Sequence, residues 1–90
     1  MPIRKNIPEA IKVRERFIRS FEELRYRRIV KTKLEFCREV GLCNSSNLVR
    51  MEKMQYEPSV TNILLLNKKY GVSTDWILFG KGDFFKKENQ

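Results

Sequence analysis

From Glu9 onward, Val13, Phe17, Phe21 and Leu24 recur at intervals of three and four, with Ile18 beside them. Arg14, Glu15, Arg16, Arg19, Glu22 and Glu23 fill the other faces. That period predicts an amphipathic helix from about Glu9 to near Tyr26, its apolar stripe turned to a core. A membrane-surface helix is the rival reading, weakened by the acids on the polar face. A second, shorter pattern follows in Thr32–Glu52. Thr32 is a helix cap with Glu35 three residues on, the spacing of a capping box. Phe36, Cys37 and Val40 form an apolar stripe, and Gly41 marks a sharp turn. Asn44 caps another helix, which buries Leu48 and Met51 and leaves Ser45, Ser46, Asn47, Val49, Arg50 and Lys53 on exposed faces. Further on, Ser59 opens a helix with Ile63, Leu64 and Leu66 as core candidates and Gly71 at its end. Ser73 then caps the short segment Thr74–Phe79, closed by Gly80. Trp76 is its packing anchor.

Ninety residues with 41% hydrophobic and 33% charged side chains make one small folded domain. With only 4 Gly and 3 Pro and mostly helical spacing, the expectation is all-α. No apolar run approaches the roughly 18 residues that span a bilayer. The opening Met-Pro-Ile-Arg-Lys lacks the apolar segment of a signal peptide, so cytoplasmic residence is expected. Residues 1–8 read as a basic arm, either without fixed structure or reaching along a partner. Residues 83–90 read as a polar tail whose Phe84 and Phe85 either fold back or meet a partner.

The net charge is +8. Arg25, Arg27, Arg28, Lys31 and Lys33 lie within nine positions that contain no acid, just where the Thr32 helix begins. A solvated loop is the bland reading; beside the Thr32–Glu52 pattern, phosphate contact is the stronger one. Cys37 and Cys43 are six apart and histidine is absent, so no metal site is expected. Cys37 suits a tight helix–helix contact, and Cys43 an exposed turn. No buried acid pair or glycine-rich phosphate loop is visible, so neither an enzyme, a cofactor nor a small-molecule ligand is expected.

Four pieces in order give the chain a resemblance to the phage-repressor-like helix-turn-helix family over roughly Leu24 to Gly82. They are Leu24-Arg25; Thr32-x-x-Glu35-Phe36-Cys37-x-x-Val40-Gly41-Leu42; Leu48-Val49-Arg50-Met51-Glu52; and Pro58-Ser59 followed by Gly71-Val72-Ser73-Thr74-Asp75-Trp76-Ile77-Leu78-Phe79-Gly80. The resemblance implies a compact five-helix bundle occupying residues 9–82. It implies a recognition helix at about 45–54 in the major groove of double-stranded DNA. Ser45, Ser46 and Arg50 fall on the family's base-reading positions. Val49 lies between them, facing a thymine methyl, and Asn47 is a further candidate. Arg28, Lys31, Thr32, Lys33, Asn44, Lys53 and Tyr56 are the expected phosphate contacts, with Lys33 where the family usually has glutamine. Glu52 matches the family's glutamate near the end of this helix, whose usual partner is an arginine in the first helix, here Arg25. The turn from Gly41 to Leu48 is one residue longer than the family pattern, which sets the register of Ser45, Ser46 and Asn47 to within one residue. Met54 replaces a common glycine and is expected to lengthen the recognition helix.

The expected function is a DNA-binding transcriptional regulator, a repressor, working as a homodimer through the last helix and tail: Trp76, Phe79, Phe84 and Phe85. Two alternatives stay open. One is an antitoxin-like domain that binds both DNA and a protein; the other is a protein-interaction adaptor on the same fold.

Overall fold

The computed structural model describes residues 7–86. Five helices follow one another: α1 (Pro8–Tyr26), α2 (Lys33–Glu39), α3 (Ser45–Glu52), α4 (Val60–Tyr70) and α5 (Thr74–Phe79). Among the described residues there is no strand, only an isolated antiparallel bridge between Val72 and Phe85. The architecture is all-α. Its radius of gyration, 12.5 Å, matches the roughly 12 Å of a compact chain of this length.

Local chemistry sets the helix ends. Pro8 stands in the first turn of α1 with Ile7 extended before it, the position where a missing N–H costs nothing. Thr32, Asn44, Ser59 and Ser73 each accept a backbone N–H three residues on, from Glu35, Asn47, Asn62 and Trp76. Glu35 does not complete a capping box with Thr32; its carboxylate reaches one residue further back, to the Lys31 N–H at 3.1 Å. At α4 the box is complete, with Asn62 in the place of the usual glutamate.

Three helices end in the same way. After α1, α2 and α3 the chain enters the left-handed region at Arg28 (φ 64°), Gly41 (φ 81°) and Met54 (φ 64°). The next N–H then reaches back five residues: Ile29 to Leu24 O at 2.9 Å, Leu42 to Cys37 O and Gln55 to Arg50 O both at 2.8 Å. Met54 therefore does not lengthen α3. The helix stops at Glu52, and the side chain accepts a left-handed backbone that glycine would adopt without strain.

α1 packs on α3 and α5, α2 on α3 and α4, and α4 on α5. Phe36 sits at the centre of the core, edge-on to Phe17 at 5.9 Å, tilted against Phe21 at 5.2 Å and stacked on Tyr70 at 6.0 Å. Leu24, Cys37, Val40, Leu48, Met51, Leu66 and Ile77 close around it, joined by Val30, Leu42 and Val72 from the linkers.

Two expectations are corrected here. Leu64 is 49% exposed instead of buried, because α4 turns Ile63 and Leu66 inward. Arg14, read as a solvated face, is only 3% exposed and donates to Glu57 in the α3–α4 loop. A guanidinium enters such a place when a carboxylate meets it there. Two further polar side chains bind elements together. Arg16 donates to the carbonyls of Ile77 (2.7 Å) and Leu78 (3.1 Å), satisfying the open end of α5. The buried Asn62 donates to Val40 O at 2.7 Å, tying α4 to the end of α2.

Phe84 and Phe85 fold back. Ser73 N–H donates to Phe84 O at 2.7 Å and Lys86 N–H to Gly71 O at 2.8 Å. Phe84 meets Trp76 edge-on at 4.9 Å, and Arg27 lies over the Phe85 ring at 5.0 Å.

Candidate functional site

The α2–α3 connection is a sharp double turn. Gly41 ends α2, and Asn44 N–H then donates to Leu42 O at 2.8 Å across Cys43, whose φ is 72°. That is a three-residue turn around a left-handed residue. The same carbonyl accepts the Asn47 carboxamide at 2.7 Å. Asn47 is thus not part of the outward face; its side chain locks the turn. Asn44 caps α3 by accepting from Asn47 N–H and from the Ser46 hydroxyl, so its carboxamide oxygen is already engaged.

At 100° per residue, Leu48 and Met51 define the buried side of α3. Ser46, Arg50 and Lys53 are exposed and Ser45 and Val49 half-buried. These five lie on one arc, at spacings of one, four, five and eight residues from Ser45. Two hydroxyls, one branched apolar group and two cations therefore project from a capped helix. Ser45, Ser46, Val49 and Arg50 are brought together as the sequence indicated, with Lys53 at the far end.

The basic residues divide into two groups. Arg27 is held by Glu23, one turn earlier, and by Phe85. Lys33 approaches Glu52 at 4.0 Å. Among the described residues, Arg25, Arg28, Lys31, Arg50 and Lys53 have no acidic partner within 4.0 Å. The expected Arg25–Glu52 pair is absent. Glu52 takes Lys33 from the first turn of α2 instead, and Arg25 only lines the same open cleft of about 480 Å³ with Phe21, Glu22 and Tyr26. Thr32 and Lys31 are exposed at the head of α2, and Arg28 at the left-handed turn after α1. Tyr56 is half-buried against the core.

Titratable groups near the site are few. Burial pushes the Cys37 thiol up, partly offset by the Leu48 backbone and by Lys33. Tyr70 is pushed up to about 12, first by burial and then by Glu39 and Glu35; its hydroxyl is buried without a hydrogen-bond partner. Cys43 is exposed and Cys37 buried, both as free thiols.

Sequence reasoning missed Arg14, Glu57 and Asn62, the residues that fix the loop after α3 and the α2–α4 contact. For Asn62 a signal existed, since Ser59-x-x-Asn62 has the spacing of a capping box. For Arg14 there was none, because its partner lies 43 residues away.

Among the described residues, no helix is long and apolar enough to cross a membrane, and no group of three His, Cys, Asp or Glu residues could hold a metal ion. Comparisons with protein-family models, with curated proteins and with solved structures find no match to this chain.

Proposed function

We propose that the protein is a sequence-specific, double-stranded DNA-binding regulator of transcription that acts in the cytoplasm. In this reading α2, the turn and α3 form a helix-turn-helix within a phage-repressor-like five-helix bundle. The observation that carries the reading is the outward arc of α3: Ser45, Ser46, Val49, Arg50 and Lys53, free of bulky apolar side chains and of acids. A major groove admits one helix, and short hydroxyls bring its axis close to the base edges. Arg50 then reaches a guanine with two donors, and Val49 meets a thymine methyl. Arg25, Arg28 and Lys31, lacking acidic partners, and Thr32 at the head of α2 supply phosphate contacts, with Lys53 at the end of α3. Asn47, Asn44 and Tyr56 support the geometry. Repression by occupying a site that polymerase needs is the simplest action for such a domain.

Binding of labelled duplex DNA, titrated with salt, tests this reading. Ser46→Glu/Arg50→Glu places two acids on the arc and is expected to abolish binding, whereas Lys68→Glu on α4 leaves most of it. Equal losses from the two substitutions would move the DNA contact away from α3.

A further inference from the structure

The first turn of α3 fixes not only where Ser46 stands but what its hydroxyl is left to do. Asn44 caps the helix by accepting the Asn47 N–H at 3.3 Å through its Oδ1. A backbone N–H only donates, so this contact identifies the carboxamide oxygen and fixes which way the amide is turned. The Ser46 Oγ lies in hydrogen-bonding contact with that same oxygen. Oδ1 has no hydrogen to give. The proton in the bond is therefore the serine's.

A hydroxyl has one hydrogen and two lone pairs. With its hydrogen committed to Asn44, Ser46 offers its surroundings an oxygen that only accepts. The residue is exposed, on the outward arc that also carries Val49 and Arg50. Its anchor is held from behind. Asn47, which supplies the capping N–H, is itself tied by its carboxamide to the Leu42 carbonyl at 2.7 Å. Turn, cap and serine proton thus form one connected set of hydrogen bonds, in which each bond polarises the next.

Base edges in a major groove differ in the complementary sense. Adenine and cytosine present an amino donor where guanine and thymine present a keto oxygen. A serine with a free proton serves either kind. Ser46 meets an amino group with a ready lone pair, but it meets a keto oxygen with lone pairs on both sides. Serving the keto oxygen requires leaving Asn44, at the loss of one exposed hydrogen bond.

We infer that Ser46 reads amino groups: locked by Asn44, it selects adenine or cytosine over guanine or thymine on the strand it faces. The inference rests on the DNA reading above and adds to it the chemical class of base at one position. Ser46 touches the base, and Asn44 is a positioning residue that acts through it.

The test uses the duplex that the full chain enriches from a random pool, at the base pair whose preference Ser46→Ala erases. There the amino group is deleted by placing purine for adenine, or 2-pyrimidinone for cytosine. The keto oxygen is deleted separately, with 5-methyl-2-pyrimidinone for thymine or 2-aminopurine for guanine. Wild-type affinity is expected to fall about fivefold without the amino group, the worth of one hydrogen bond, and by less than about twofold without the keto oxygen. Ser46→Ala, lacking the acceptor, binds the parent and amino-deleted duplexes alike. Asn44→Gly frees the serine proton while keeping a residue that starts helices well, so the penalty for a keto group at that place shrinks. Asn44→Asp keeps an oxygen for both donors; its charge weakens binding to every duplex, and the preference for the amino group remains.

A wild type that responds to the keto oxygen instead of the amino group overturns the inference. So does an Asn44→Gly variant with unchanged preference, or the absence of any base pair that answers to Ser46→Ala. The DNA reading survives all three, because the enriched site remains. A pool with no enriched site ends both.

Discussion

Two exposed faces of this small bundle contrast in almost every physical respect. The arc of α3 presents hydroxyls, one valine and two cations. The flank of α4 and α5 presents Val60, Leu64, Leu78 and Phe79, with no charged residue from Ser59 to Asn67. Both faces are carried by helices with side-chain caps, and both point to water. The difference lies in what each leaves unsatisfied. The arc offers donors and positive charge to a polyanion, and salt weakens any such contact through counterion release. The flank leaves only apolar area, and salt does not weaken its burial. On the proposed reading, salt weakens contact at the arc, whereas apolar burial at the flank is not weakened by it.

The segment joining them is where the comparison breaks most easily. The loop after α3 is pinned by Glu57 on the buried Arg14. Glu57→Ala strands that guanidinium and is expected to lower stability by about 3 kcal/mol. Urea denaturation measures this, and DNA binding should weaken with it because the loop leads out of α3. A change within 0.5 kcal/mol, roughly the effect of an ordinary surface substitution, would show that Arg14 finds water or another partner.

A sharper cut on one face comes from Arg50→Ala, expected to cost about 1–3 kcal/mol on the selected site and to relax preference at one base pair. Competition titrations with single-position variants of the site read this directly. Equal losses on specific and random DNA would reassign Arg50 to a phosphate.

Tyr70→Phe separates core stability from both faces. The hydroxyl is buried and unpartnered, so its removal is expected to stabilise by about 1 kcal/mol. The phenol also titrates later in the folded state than its ordinary 10.0, at about 12. The unfolded chain therefore loses the proton first, and stability falls as pH rises from 10 toward 12. The Phe variant should lack that share of the alkaline loss. Parallel pH profiles for the two proteins would argue against it.

The smallest effect belongs to the end of α3. Met54→Gly relieves a left-handed backbone at an exposed residue and should stabilise by about 1 kcal/mol without altering DNA affinity. Thermal melts of the pair check it; destabilisation would mean that the Met54 side chain makes contacts worth more than the strain.

What could be read from the sequence was what depends on neighbours within a turn. Thr32, Asn44, Ser59 and Ser73 cap helices because a short oxygen side chain satisfies the first free N–H groups wherever it falls. The outward placement of Ser45, Ser46, Val49 and Arg50 followed from Leu48 and Met51 being buried. Distance in sequence hid the rest. Arg25, Lys33 and Glu52 line one cleft, and the ion pair that Glu52 forms there, with Lys33 of α2, spans 19 residues that no local pattern relates. For Phe84 the sequence left folding back and meeting a partner equally open, and the Val72–Phe85 bridge is what brings it to Trp76. Asn47 looked exposed because its carboxamide partner, the Leu42 carbonyl, belongs to a turn that no side-chain pattern describes. Leu64 looked buried because α4 has apolar residues on more than one side.

Selection of binding sites from a random duplex pool with the purified chain, at about 150 mM salt where the Debye length is about 8 Å, tests the central claim most directly. An enriched motif is the expected result. With a dimer it should be a palindrome, its half-sites about 34 Å or a multiple of that apart. A pool that stays random, with only salt-sensitive bulk binding, would contradict it.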